Sequence, residues 1–339
     1  MTSTLRSTPS RAALSLAALG ALSVQATGQV QITEFMYSGL DGEFIELTNV
    51  SSLPVDLDGW SIDDKSAIAG TYDLSLAGII DPGESVLVTD RVAANFVASW
   101  SLGTTTVLGG NAISSLGRND EIHLFDASGA TVDVLAYGDE DFPGSIRTRE
   151  TSGQGCDAGL GVNDIYRWTL ASEGDAWGST TSVNGDVGSP GVYGLVSCPP
   201  VGESYCVAAP NQTGQVAMTT LDGSPSIARN ELEVRCNALP GGAVGYFLTS
   251  TTIDQIVNPG NAVGSLCLGG SIGRYSSFAQ AATAAGEMTL ALDLAGLSQP
   301  TGPVGAMSGE TWHFQCWYRD AVLGFPVSNF SLPVQVTLY

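Results

Sequence analysis

The chain has 339 residues, with 12 Lys+Arg against 34 Asp+Glu and a formal net charge of −22. A surface this acidic repels phosphate backbones and anionic membranes, which argues against nucleic-acid and lipid-surface partners. The 42 glycines and the low share of charged residues, 14%, suit short strands joined by tight turns, not helices.

The first 26 residues read as a secretory signal. "MTSTLRSTPSR" carries Arg6 and Arg11 and no acid, "AALSLAALGALSV" is an apolar run from Ala12 to Val24, and "VQA" puts Val24 and Ala26 at small-residue cleavage positions. The run is shorter than the roughly 20 residues that span a bilayer. Cutting after Ala26 removes two bases and no acid, which leaves 10 bases against 34 acids and a net charge of −24. The mature chain is expected to be secreted or held at the cell surface without membrane insertion, and it is long enough for two domains.

Residues 30–138 alternate apolar and polar positions in short runs: "QITEFMY", "GEFIELTNV", "VDLDGWSI", "GTYDLSL", "ESVLVTD", "EIHLFDA" and "TVDVLAYG". About seven such strands predict an antiparallel sandwich of immunoglobulin-like size. Within "FDASGATVDV", Ala127 to Ala130 supply a hairpin turn. Val55 and Leu57 alternate inward ahead of Trp60, which is expected to be a buried packing element. Residues 139–201, rich in Gly, Ser, Asp and Pro, read as an irregular arm pinned by Tyr166, Trp168 and Trp177, ending in the linker "SPGVYGLVSCPPVGES". Strand signals resume over 202–339 with "QVAMTTL", "ELEVRCNAL", "GYFLTS", "EMTLALDLAG", "TWHFQCWYRD" and "PVQVTLY", while "SFAQAATAAG" allows a helical turn or two. The expected fold is all-β: two antiparallel β-sandwiches, the first immunoglobulin-like.

Several ordered motifs make residues 30–138 resemble the lamin tail domain family. They are Ile32-Thr33-Glu34, Phe44-Ile45-Glu46-Leu47 with Asn49, Val55-Asp56-Leu57-Asp58-Gly59-Trp60, Pro82-Gly83 before "ESVLVTD", and the late hairpin from Leu124 to Gly138. The resemblance covers about a third of the chain. It implies an immunoglobulin-like sandwich of the bacterial secreted type, in which such domains are non-catalytic modules, sometimes attached to nucleases or phosphatases. The nuclear role of lamins does not carry over, because this chain has no coiled-coil rod. Residues 202–339, with "YCVAAPN", "LCLGGSIGRY" and "ETWHFQCWYRD", resemble a terminal β-domain of large secreted bacterial proteins.

Glu34 and Glu46 could act as an acid–base pair on a sugar. However, Glu46 alternates out of phase with Ile45 and Leu47, and short sandwich strands offer no cleft. The favoured reading is a sandwich edge where both glutamates and Asn49 hydrogen-bond the backbone. "GGSIG" matches a nucleophile elbow at Gly269, Ser271 and Gly273, followed in hydrolase order by Asp293 and His313. That motif needs a strand-to-helix turn in a parallel sheet, which nothing here supplies. His123 and His313 sit mid-strand and are expected to point outward, too far apart in sequence for a zinc site. Asp56/Asp58, Asp63/Asp64 and Asp139/Glu140/Asp141 are acidic turns without calcium-loop spacing. Trp312, Phe314, Trp317 and Tyr318 could stack on sugars, but Trp312 and Phe314 share a strand face with Cys316, which favours core packing.

Six cysteines without a C-x-x-C pair predict disulfides. Strand phase points Cys236 and Cys316 into one core, so they are paired first. Cys206 is then paired with Cys267, and Cys156 with Cys198. No catalytic, metal or cofactor residue is assigned. The expected role is structural or adhesive, toward a protein or glycan at the cell surface, with a carbohydrate- or calcium-dependent binding module as the alternative and a secreted hydrolase third.

Overall fold

The structure is a computed structural model that describes residues 29–111 and 115–339. The expected signal segment lies outside the described residues. The strands of the first half are β1 (Val30–Met36), β2 (Phe44–Asn49), β3 (Val55–Asp56), β4 (Ser61–Asp63), β5 (Tyr72–Asp73), β6 (Ile79–Ile80), β7 (Ser85–Thr89), β8 (Thr106–Leu108), β9 (Asp120–Phe125) and β10 (Thr131–Tyr137), with a helix α1 (Ala93–Trp100) between β7 and β8. Most of the predicted strands are present, although "VDLDGWSI" divides at Gly59 into β3 and β4, and "GTYDLSL" gives only the two-residue β5 before a 3-10 turn over Ser75–Ala77. The hairpin between β9 and β10 closes where the Gly129 amide donates to the Asp126 carbonyl, with Gly129 at a φ of 80° that favours glycine.

The arm is not irregular. It contributes β11 (Gly153–Gly155) and β12 (Trp168–Leu170), which extend the first sheet to the order β12-β11-β1-β2-β7-β8. β11 reads "GQG" because larger side chains lie against its backbone. A Cβ on Gly153 would meet Ile146, Thr148 and Phe35, and one on Gly155 would meet Leu160 and Trp168. Trp168 is buried in the main core, edge-on to Phe35 with ring centroids 5.5 Å apart. Trp60, in contrast, packs against that core only half-buried. Val55 and Leu57 point inward as expected, but Trp60 lies past the end of β3, where the strand phase stops holding.

The opposing sheet has the order β10-β9-β4-β5. Ile32, Phe35, Ile45, Leu47, Val86 and Val88 face it and make the core. β1 carries a bulge between Ile32 and Glu34, which resets the alternation. The second face of the six-stranded sheet is also buried: Met36, Phe44 and Leu87 pack against Phe96 and Trp100 of α1. Those two aromatics are four apart, as one helix face requires. The first domain therefore has three layers.

In the second half, Met218–Gly223, Leu232–Asn237 and Met288–Ala291 form one sheet. It faces a larger sheet built around Thr311–Val322, whose neighbours include Val244–Ser250 and Val334–Thr337. Leu232, Val234, Cys236, Trp312, Phe314, Cys316 and Tyr318 meet between them, so the phase read from the sequence is right here. "SFAQAATAAG" gives one 3-10 turn, Ser276–Phe278, and then extended chain.

Disulfides join Cys156 to Cys198 and Cys206 to Cys267. The Cys236–Cys316 bond is not made. Both remain buried thiols in hydrogen-bonding contact, and burial together with the Cys236 neighbour pushes the Cys316 thiol up. Strand phase decides which core a side chain enters, not whether two sulfurs there are bonded.

The segment read as a linker is held along its length, since Tyr193 packs on the first core, Cys198 is tied to Cys156, and Glu203–Ser204 pairs with Val334 and Gln335 of the second half. The two halves also touch directly. Arg229 donates to the carbonyls of Val162 and Asn163 at 3.1 and 3.3 Å, and its Nε lies 3.4 Å from the buried Asp164 carboxylate, which Arg167 also approaches. Tyr166 stacks on Tyr339 with centroids 5.5 Å apart. Arg229→Ala is expected to cost about 1–3 kcal/mol, the usual cost of leaving buried hydrogen-bond partners unsatisfied. Denaturant unfolding followed separately by fluorescence and near-UV circular dichroism should then show the two halves uncoupling.

Candidate functional site

Glu34 and Glu46 stand opposite each other on β1 and β2, the two central strands of the six-stranded sheet. They are not at a sandwich edge. Both side chains leave the face away from the main core and are 2% and 1% exposed. What covers them is the returning chain around β13 (Thr180–Thr181) and β14 (Val187–Gly188), continuing to Gly194.

Hydroxyls and amides satisfy the pair. Glu34 Oε1 accepts the Ser152 hydroxyl and, at 2.8 Å, the Ser189 amide, while Oε2 accepts the Ser189 hydroxyl at 2.8 Å. Glu46 Oε1 accepts from Thr33, Thr48 and Ser85 at 3.1, 3.2 and 2.9 Å, and Oε2 accepts the Gly191 amide at 2.7 Å. The two carboxyls thus grip one loop, Ser189 to Gly191, from underneath. Burial, and then the charge of Glu46, push the Glu34 carboxyl up to about 8, and burial raises Glu46 as well. The space beside them, lined by Trp177, Val192 and Tyr193 among others, is about 10 Å³. That holds at most one water and no sugar ring, so acid–base work on an external substrate has no room.

The lamin tail domain family model matches residues 23–139. The chain carries a lamin tail domain. No curated protein matches the chain in sequence. The lamin tail domain is immunoglobulin-like, but its six-stranded sheet runs past the matched residues: β11, β12 and the loop over Glu34 and Glu46 all follow residue 139.

Asn49 does what the sequence predicted for this domain. Its Nδ2 donates to the carbonyls of Leu53 and Ile80 at 2.8 and 3.0 Å, and its Oδ1 accepts from Ser51. The acidic turns have partners. Asp56 accepts the Asp58 amide, and Asp63 accepts the Ser66 hydroxyl and the Ile68 amide. Asp139 and Glu140 pair with Arg118, and Asp141 with Lys65. Cys156, Asp157 and Cys198 lie together like a metal site, but the two sulfurs are bonded to each other.

Outside the lamin tail domain, the "GGSIG" stretch is a loop between the short strands Ser265–Leu268 and Gly273–Arg274, which pair with different antiparallel neighbours, and only a three-residue 3-10 turn, Ser276–Phe278, follows, so the elbow geometry is missing. Asp293 accepts from Asn230 and the Ala295 amide. His313 does not point into solvent. It is 5% exposed, edge-on to Tyr205, and burial lowers its pKa. Alternation placed it correctly on the polar face, but that face is covered. His123 is half-buried, parallel to Phe125 and bonded to Glu121 at 2.7 Å. Trp312, Phe314 and Tyr318 are core residues, while Trp317 faces the other way, against Tyr246 and under Arg319.

What the sequence did not reveal is the cover over the glutamate pair, made by Ser152, Ser189 and Gly191. Serines and glycines in a loop carry no periodic signal. The hint available was two glutamates placed opposite each other in otherwise apolar strands.

Proposed function

We propose that this is an exported, non-catalytic structural or adhesive protein of the cell surface or extracellular space. The observation that carries the reading is the state of the glutamate pair. In the lamin tail domain the best acid–base constellation is sealed under a loop and used to hold that loop down. Two disulfides favour an oxidising compartment. Among the described residues no helix is long and apolar enough to cross a membrane. The acidic surface keeps the protein soluble and away from anionic polymers.

One observation favours the second reading, a carbohydrate-binding module. A groove of about 610 Å³ lies where the two halves meet, lined by Tyr166, Tyr339, Thr311, Gln335 and Thr337. Its size is ordinary for a ligand site, and its aromatic and amide groups suit a neutral sugar. Protease shaving of intact cells, with a glycan array on the purified mature protein, tests both readings. Release of its peptides by shaving and no glycan signal is the expected result. Recovery only from the cytoplasm would overturn the first reading, and a glycan signal abolished by Gln335→Ala would establish the second.

A further inference from the structure

Gln154 on β11 is the cross-strand neighbour of Glu34, and its side chain is 1% exposed. Its Nε2 lies 2.7 Å from the hydroxyl of Ser189 and 2.7 Å from that of Ser179. Ser189 and Ser179 are themselves buried. Its Oε1 is buried with no hydrogen-bond partner among the described residues. A buried amide oxygen left without a partner, inside a network where the neighbouring oxygens are used, calls for an explanation.

The geometry points to a self-made covalent cross-link: an ester between the Ser189 hydroxyl oxygen and the Gln154 side-chain carbonyl carbon. The Ser189 O–H bond breaks, its oxygen bonds to Gln154 Cδ, the Cδ–Nε2 bond breaks, and one ammonia leaves. No electrons are gained or lost, so no oxidant or reductant is needed. Glu34 Oε2 already accepts the Ser189 proton at 2.8 Å and can return it to the departing nitrogen.

Three features favour this step. The nucleophile, the amide and the proton carrier belong to the folded sheet and its cover, so they meet without a diffusional encounter. The Glu34 carboxyl, held at about 8 by burial and by Glu46, can both take and give a proton near neutrality. The space beside the pair holds at most one water, so the ester, once made, is shielded from hydrolysis. Ammonia that reaches solvent is protonated and diluted, which drives the exchange forward. Ser179 is the weaker nucleophile. Its hydroxyl donates to Asp175 at 2.8 Å, and despite burial the amides of Ser172 and Ser179 hold that carboxyl low, so it carries a proton poorly. The cross-link would tie β11 to the loop over the glutamates by a bond and not by hydrogen bonds alone.

The test is a mass measurement on the purified full-length chain. The chain must be denatured and its disulfides reduced, because Cys156–Cys198 joins the same two tryptic peptides, residues 150–167 and 168–229. The expected intact mass is lower than the sequence mass by one ammonia, with those two peptides still joined after reduction. Alkaline hydrolysis should separate them and leave glutamate at position 154. Ser189→Ala should restore the full mass, Ser179→Ala should keep the link, and Glu34→Gln should lose or slow it. Full mass in the folded wild-type chain, with both peptides separate, would overturn the proposal without recourse to any variant. So would an ammonia loss mapped to another residue, or a link through Ser179.

Discussion

Replacing Trp168 with Ala is expected to destabilise the first domain by about 3–5 kcal/mol, the usual cost of emptying a buried tryptophan site. Trp168 lies in the main core against Phe35, with Gly155 beneath it. It belongs to β12, beyond the residues that match the lamin tail domain. The same substitution at half-buried Trp60 is expected to cost clearly less, since less apolar surface leaves water there on folding. Urea unfolding of both variants gives the comparison. A loss at Trp168 no larger than that of an exposed substitution would mean that β12 is no part of the cooperative unit.

The second large effect is on pH. Among the described residues, four carboxyls sit above their ordinary values in the folded chain. Burial holds Glu34 and Glu43 at about 8 and Asp133 at about 6, and it raises Glu46. Above the unfolded value near 4, the folded state binds protons that the unfolded chain has released. Stability therefore falls as pH rises from there through each folded value, by at most about 1.4 kcal/mol per pH unit for each group. Other carboxyls act oppositely. Despite burial, bonds from Ser182, Ser99 and Asn184 hold Asp41 at about 2, and Asp63 and Asp175 are also lowered. Their contribution is present above the unfolded value and lost as pH falls through the folded one. Both sets together place maximum stability near pH 4, about where the unfolded carboxyls titrate. Melting temperatures at pH 5, 6, 7 and 8 should fall steadily, and the double variant Glu34→Gln/Glu43→Gln should flatten the slope. A wild-type profile that is flat or rises toward pH 8 would contradict this.

Much of the fold was legible because alternation survives wherever one strand face is apolar. Ile45 and Leu47, Val55 and Leu57, and Trp312 through Tyr318 all fall on the faces expected. Asn49 was legible because a side-chain amide at the end of a strand has few other uses. The rest failed for identifiable reasons. "GQG" has too few side chains to show a period, so β11 looked like loop. α1 is only eight residues long, and its two anchors, Phe96 and Trp100, do not make a repeating stripe. Glu46 and His313 were each placed on the correct face of a strand, yet alternation says nothing about what covers that face, and the bulge between Ile32 and Glu34 breaks the alternation that would phase Glu34. For Glu34 the cover is Ser189, 155 positions away, and no local pattern reports a contact of that range.

Hydrogen exchange on the full chain tests the central claim, that the loop over the glutamate pair belongs to the lamin tail domain's folded core. The amides of Ser189 and Gly191 donate to Glu34 and Glu46. They are expected to exchange as slowly as the amides of Ile45 and Leu47 on β2, opening only with the domain as a whole. Exchange of Ser189 and Gly191 at the rate of exposed turns, while β2 stays protected, would contradict it.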